Sequence, residues 1–440
     1  MHRVLPLYAD CRLIKAETIM RAVRLSPNVS APWGGILLIG LGLPPIVSVI
    51  LMLCLYRYYK KPCYGVLAAI FFSLFLSYNF FSIDCCGRYN MAMETFGEDA
   101  WYLGDPLTNL MRWGVRHSAL QCSNFFLVYL ALIYIFWFLT LRQCYSGRNG
   151  NLFIFFFLTV VWYRNSMDLM YYTLSLVFAL FLVTRKDKMP PLEIVAMVVV
   201  CYLLHPGVLI ILLPAIGLYY VLGFSNKTGK LWIYYLALAV LYLLFMQLSH
   251  FTATSTGVPI VDAMLDSFSS YTSDQAWGSR QGDKAIAGIT YTIIFYVIPL
   301  FYLLLGILLL KHLNNLRQRF VVAVFHAALL FYPSFLDFVT LTERCLVILS
   351  ITSILCALVL AENTSCWLRV KHIAAYCVLI FFFNFSKGAG SILLQNVFRA
   401  DSDYQTIRNR SYYLPSCVLI DYADFGYSDD FLKSNINITF

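Results

Sequence analysis

A handful of ionisable side chains interrupts a chain that is otherwise largely apolar. Asp84 is followed one helical turn later by Arg88 and Tyr89 in SIDCCGRYN, and Asp105 precedes a proline in LGDP. Arg164 opens RNSMD, His205 stands alone in VVVCYLLHPGVLIILLP, and Arg344 follows Glu343 in TER. Guanidinium groups are planar and permanently charged, and they bind phosphate oxygens bidentately. A carboxylate or an imidazole beside them can move protons. The set therefore suits a phosphate or pyrophosphate centre, with Asp84 as the first candidate base and His205 the second. Each residue also has a plainer role open to it. Asp84 and Arg88 can neutralise each other at i,i+4, Asp105-Pro106 forms turns, and Arg164 can pair with Asp168. Arg344 can pair with Glu343 or Asp337, and His205 can be a satisfied core residue. The stretch FSSYTSDQAWGSRQGDK, with Trp277, could stack on sugar faces or form an interfacial aromatic belt.

These residues must be held by apolar elements. The 440 residues are 60% hydrophobic and only 12% charged, with mean hydropathy +0.71, whereas soluble domains carry about 25% charge. A solvated globular enzyme is not expected on that ground. The net charge of +9 comes without any dense basic run, so no nucleic-acid partner is expected. Thirteen cysteines lack a CxxC pair or a Cys/His ligand set, so no structural zinc, and no other cofactor, is expected. Cys85-Cys86 and Cys122 flank one loop and could form a disulfide outside the cytoplasm. No GxxxxGK[ST] motif points to nucleotide-driven pumping.

The fold expected is all-α: a polytopic membrane domain over 34–394 with about 12 spans. Their limits are 34–56, 64–83, 123–141, 150–163, 166–183, 191–204, 207–222, 231–248, 287–310, 320–337, 345–361 and 372–394. Residues 1–33 form a basic segment suited to an interfacial helix, unless Met20 is the initiator, and 395–440 a polar tail. Fifteen Lys and Arg, from Arg57 to Lys371, fall in one set of alternate connections. Seven (Arg88, Arg112, Arg116, Arg164, Arg280, Lys284 and Arg344) fall in the other. The denser set is cytoplasmic by the positive-inside rule. The outer side then carries the long loops 84–122 and 249–286. Two short helical hairpins sit in the middle, turning at Tyr163-Arg164-Asn165 and at His205-Pro206. Arms of about 14 residues reach only about 21 Å, short of a hydrocarbon core near 30 Å. Arg164 and His205 are therefore expected recessed on the outer side.

In order and placement these motifs resemble the EpsG-like family of Wzy-type polysaccharide polymerases, over roughly residues 34–395. The matching elements are SIDCCGRYN after the second span, LGDP, Arg164 at the start of a span, HPG after a short span, and TER before a late one. Departures are Ser82-Ile83 in place of a glycine before Asp84, and Pro206 directly after His205. The resemblance implies a metal-independent glycosyltransferase in the bacterial cytoplasmic membrane. It would join undecaprenyl-pyrophosphate-linked repeat units on the outer face, with a flippase and a chain-length regulator as partners. Arg88, Arg164 and Arg344 would hold pyrophosphate, Asp84 or His205 would act as base, and Tyr89, Asp105 and Trp277 would touch glycan. Rival readings are an O-antigen-type ligase, another polyprenyl-linked sugar transferase and a transporter of lipid-linked oligosaccharide.

Overall fold

The computed structural model describes residues 33–79, 122–144, 170–184, 189–248, 257, 262, 296–312, 318–336, 338–363 and 412–421. Among them the chain is helical, without a strand. The helices are α1 (Trp33–Gly42), α2 (Pro45–Tyr59), α3 (Pro62–Asn79), α4 (Cys122–Cys144), α5 (Met170–Thr184) and α6 (Pro191–Leu204). A 3₁₀ turn (Pro206–Val208) leads into α7 (Leu209–Thr228), then α8 (Trp232–Leu248), α9 (Ile298–His312), α10 (Arg319–Ser334), α11 (Val339–Asn363) and a short α12 (Ser416–Asp421). Two segments, Leu127–Cys144 and Pro206–Thr228, are long and apolar enough to cross a membrane.

Local sequence accounts for the boundaries. Pro44 and Pro45 split the first expected span into α1 and α2, because proline supplies no N–H for the helix ladder. Proline opens α2, α3 and α6 at the first turn, where a missing N–H costs nothing. Lys60, with φ 56°, closes α2 by donating its N–H to the Tyr56 carbonyl and turns the chain into α3. Gly229, with φ 70°, closes α7 in the same left-handed geometry. The second arm of the second hairpin is thus longer than expected, running to Thr228 instead of 222. The polar residues Ser225, Asn226 and Lys227 lower the hydropathy of its last turns without breaking the helix.

Cross-helix contacts fix the directions. Gly65 lies against Phe138, and Phe72 packs on Tyr134 at 5.2 Å, so α3 and α4 are antiparallel. Tyr129 meets Tyr171, Phe136 meets Phe178, and the Thr184 hydroxyl bonds Gln143, so α4 and α5 run parallel. Residues 144 and 170 therefore lie at opposite ends of the bundle. Helix α6 returns antiparallel to α5: Ser175 donates to the Cys201 carbonyl at 3.3 Å, and these small side chains let the backbones approach. The Tyr219 hydroxyl of α7 accepts from the Met189 N–H at the far end of α6, which makes α6–α7 a hairpin. Helix α11 runs antiparallel to α10, with Thr342 bonded to the Phe335 carbonyl and Cys345 to that of Ala328.

One end of this bundle is basic. Arg57, Lys60, Lys61, Arg142, Lys227, Lys230 and Arg319 all sit there, beside the contact from Gln318 to the Thr184 carbonyl. On the eight helices α2–α7, α10 and α11, Arg344 is the only described Lys or Arg at the opposite end. At that opposite end α12 is tied down. Ser416 donates both its N–H and its hydroxyl to the Leu43 carbonyl, at 2.9 and 2.8 Å. Tyr78 donates to the Leu419 carbonyl at 2.8 Å. Part of the tail expected to be merely polar is thus a helix packed on the first hairpin.

Candidate functional site

The cluster at the sparsely charged end grows from three residues, His205-Pro206-Gly207. A residue before proline is pushed out of the helical region, and His205 is extended at φ −166°, ψ 107°, ending α6. Pro206 has no N–H, so the first backbone donor of the new turn belongs to Gly207. The His205 Nδ1 accepts that hydrogen bond at 3.1 Å. The imidazole therefore caps the turn that starts α7, taking the place of the usual Ser, Asn or Asp.

Two further helices bring partners to this ring. Tyr172, in the first turn of α5, packs T-shaped against His205, with ring centroids 5.5 Å apart and planes at 87°. Arg344, in the second turn of α11, places its guanidinium 5.8 Å from the centre of the same Tyr172 ring. Tyr172 and His205 are buried and Arg344 half-buried. Gly207 joins the three. A Cβ there would stand 2.8 Å from His205 Cε1, 3.0 Å from Nδ1 and 3.4 Å from Arg344 Nη1. Only a residue without a side chain leaves the imidazole where it is, while the guanidinium would just touch an added methyl group.

Two residues singled out in the sequence, His205 and Arg344, are thus brought together although 139 positions apart. The arrangement offers a fixed cation, which can attract an oxyanion, next to an oriented imidazole. Asp84, Arg88, Tyr89, Asp105, Arg164 and Trp277 lie outside the described residues, as do Asp168, Asp337 and the segment 1–32. The expected spans 150–163 and 372–394 lie outside them too. Arg344 sits within α11 rather than before it, because that helix begins six residues earlier than the hydropathy limit, at Val339.

Tyr172 carries no sequence signal as a site member, and Gly207 enters only as the last residue of HPG. Tyr172 is one of several aromatics in MYYTLSLVF, and only its place one turn from a span start could have raised it. A second buried imidazole, His326, also escaped notice. Its Nε2 faces the Gly306 carbonyl at 3.4 Å, which can only accept, so Nε2 carries the proton and Nδ1 accepts from the Tyr234 hydroxyl at 2.9 Å. This satisfied chain ties α8, α9 and α10 together and belongs to packing. No family model, no curated protein and no solved structure matches the chain.

Proposed function

We propose that the protein is a multi-pass membrane glycosyltransferase of about 12 spans in the bacterial cytoplasmic membrane. It polymerises polyprenyl-pyrophosphate-linked oligosaccharide on the outer face. The observation that carries this reading is the meeting of Tyr172 with His205 and Arg344, and of both with Gly207, at the end where Arg344 is the one Lys or Arg described on α2–α7, α10 and α11. On these eight helices the other described cations lie at the far end, which favours a membrane orientation with this site outside. A guanidinium on that side can bind an oxyanion, and a lipid-linked pyrophosphate supplies one beside the bilayer.

The reaction breaks the bond between the anomeric carbon and a pyrophosphate oxygen. The electron pair passes to that oxygen, and the acceptor hydroxyl oxygen forms the new bond and loses its proton. Arg344, joined in this proposal by Arg88 and Arg164, binds the pyrophosphate more tightly as its charge grows and so lowers the barrier. Asp84 takes the acceptor proton.

Deletion of the gene, followed by analysis of the lipid-linked glycans, tests the reading. Single repeat units accumulating on polyprenyl pyrophosphate support a polymerase. Full-length polymer stranded on the carrier indicates a ligase, and unchanged glycans refute both. Arg344→Ala should abolish polymer at unchanged membrane abundance. Arg344→Lys should rescue poorly, because an ammonium cannot bind two oxygens in one plane.

A further inference from the structure

We propose that His205 serves this site as a hydrogen-bond donor through Nε2, with Pro206 and Gly207 fixing that role, rather than as the base that takes the acceptor proton. The inference deepens the glycosyl-transfer reading above and rests on it. A neutral imidazole has one donor and one acceptor nitrogen. The Gly207 N–H can only donate, and it donates to Nδ1 at 3.1 Å. Nδ1 is therefore the acceptor, and the proton is on Nε2.

Three features hold the ring in this state. Proline at 206 offers no N–H, so the first donor of this turn that can reach Nδ1 is that of Gly207. Glycine at 207 leaves space for the ring, since a Cβ would fall 2.8 Å from Cε1. The Tyr172 ring, T-shaped to the imidazole at 5.5 Å and 87°, limits its rotation by direct packing. To act as a base, the ring would have to give up its cap to Gly207 and shift its proton from Nε2 to Nδ1.

Arg344 Nη1 lies 3.4 Å from the same virtual Cβ, so the donor nitrogen's ring and the guanidinium share one neighbourhood. Both then act on one oxyanion. As the anomeric C–O bond breaks, the electron pair passes to the pyrophosphate oxygen. The Nε2–H hydrogen-bonds that oxygen without surrendering its proton, so His205 ends each cycle as it began. The acceptor proton leaves on a carboxylate, for which Asp84 is the first candidate.

Two variants separate the roles, since Asn carries its amide near Nδ1 and Gln carries its amide near Nε2. His205→Asn keeps the cap and loses the donor. Polymer formed by membranes from deletion cells should fall about 10²–10³-fold, the usual loss for a preorganised oxyanion donor. His205→Gln keeps an N–H donor and should fall by less than about tenfold. An active Asn variant would reduce His205 to a cap and overturn the proposal. Two inactive variants, with a wild-type rate that collapses as the pH is lowered, would restore the base role and overturn it as well.

Nitrogen NMR of the purified full-length chain with labelled histidine gives a readout independent of activity. The signals lost in His205→Asn should be a protonated Nε2 and an unprotonated Nδ1, and the reverse pattern would sink the assignment. The Nε2–H pattern in a protein whose deletion leaves cellular glycans unchanged would instead refute the glycosyl-transfer reading, and with it the pyrophosphate target.

Discussion

Gly207→Ala is the sharpest perturbation the site allows. The residue does not adopt positive φ, so alanine meets no backbone penalty, and the effect comes from one methyl group. That group would lie 2.8 Å from His205 Cε1 and 3.4 Å from Arg344 Nη1. Carbon atoms settle at about 3.5–4.0 Å, so the imidazole must retreat by roughly 0.7 Å. The retreat stretches the cap to the Gly207 N–H, which is worth about 0.5–1.5 kcal/mol. Removing a glycine returns about 0.5–1 kcal/mol. Stability should therefore change little, while a displacement near 1 Å at a reacting centre can cost about 10²-fold in rate. Polymer synthesis by membranes from complemented deletion cells should fall about 10- to 100-fold at wild-type abundance and thermal stability. Gly217→Ala and Gly223→Ala, where an added Cβ meets nothing within 4 Å, serve as controls on the same helix and should be fully active. Wild-type activity in Gly207→Ala would refute the claim that this close approach positions the site.

Three further outcomes are expected. Tyr172→Phe should keep most activity, whereas Tyr172→Leu removes the aromatic face beside Arg344 and should weaken apparent substrate affinity by about 0.5–2 kcal/mol, read as a raised KM. Tyr234→Phe leaves the His326 Nδ1 without its donor and should cost about 1–3 kcal/mol of stability, seen as a lowered melting temperature with activity per folded molecule unchanged. Cys417, exposed on α12 at the site end, should react with a membrane-impermeant maleimide added outside intact spheroplasts. Labelling that is the same in Cys417→Ser, or that requires lysis, would reverse the orientation.

Much of this framework could be read from hydropathy because a long apolar run has few alternatives to a helix. The limits 191–204 and 231–248 coincide with α6 and α8 to within a residue. The limits failed where polarity and helicity part company. Ser225 to Thr228 are polar yet stay helical, Thr340, Thr342 and Glu343 do likewise at the start of α11, and Leu43-Pro44 is apolar yet breaks the helix. The break at His205-Pro206 was legible because proline acts locally. The meeting of His205 with Arg344 was raised only by their shared side of the membrane. Tyr172 and Gly207 were invisible as partners, because an aromatic ring and a missing side chain acquire meaning only when distant helices press against them.

The return of α12 to the first hairpin bears on how the chain assembles during synthesis. Its bonds to Leu43 and Tyr78 span 373 and 341 residues. At about 5–20 residues per second, translation leaves the Leu43 carbonyl waiting tens of seconds for Ser416 to emerge. The pair α2–α3, made long before α12, is therefore among the last parts of the bundle to be completed. A ribosome that stops short of residue 412 releases a bundle whose opening pair is still unlatched, a ready mark for quality-control proteolysis.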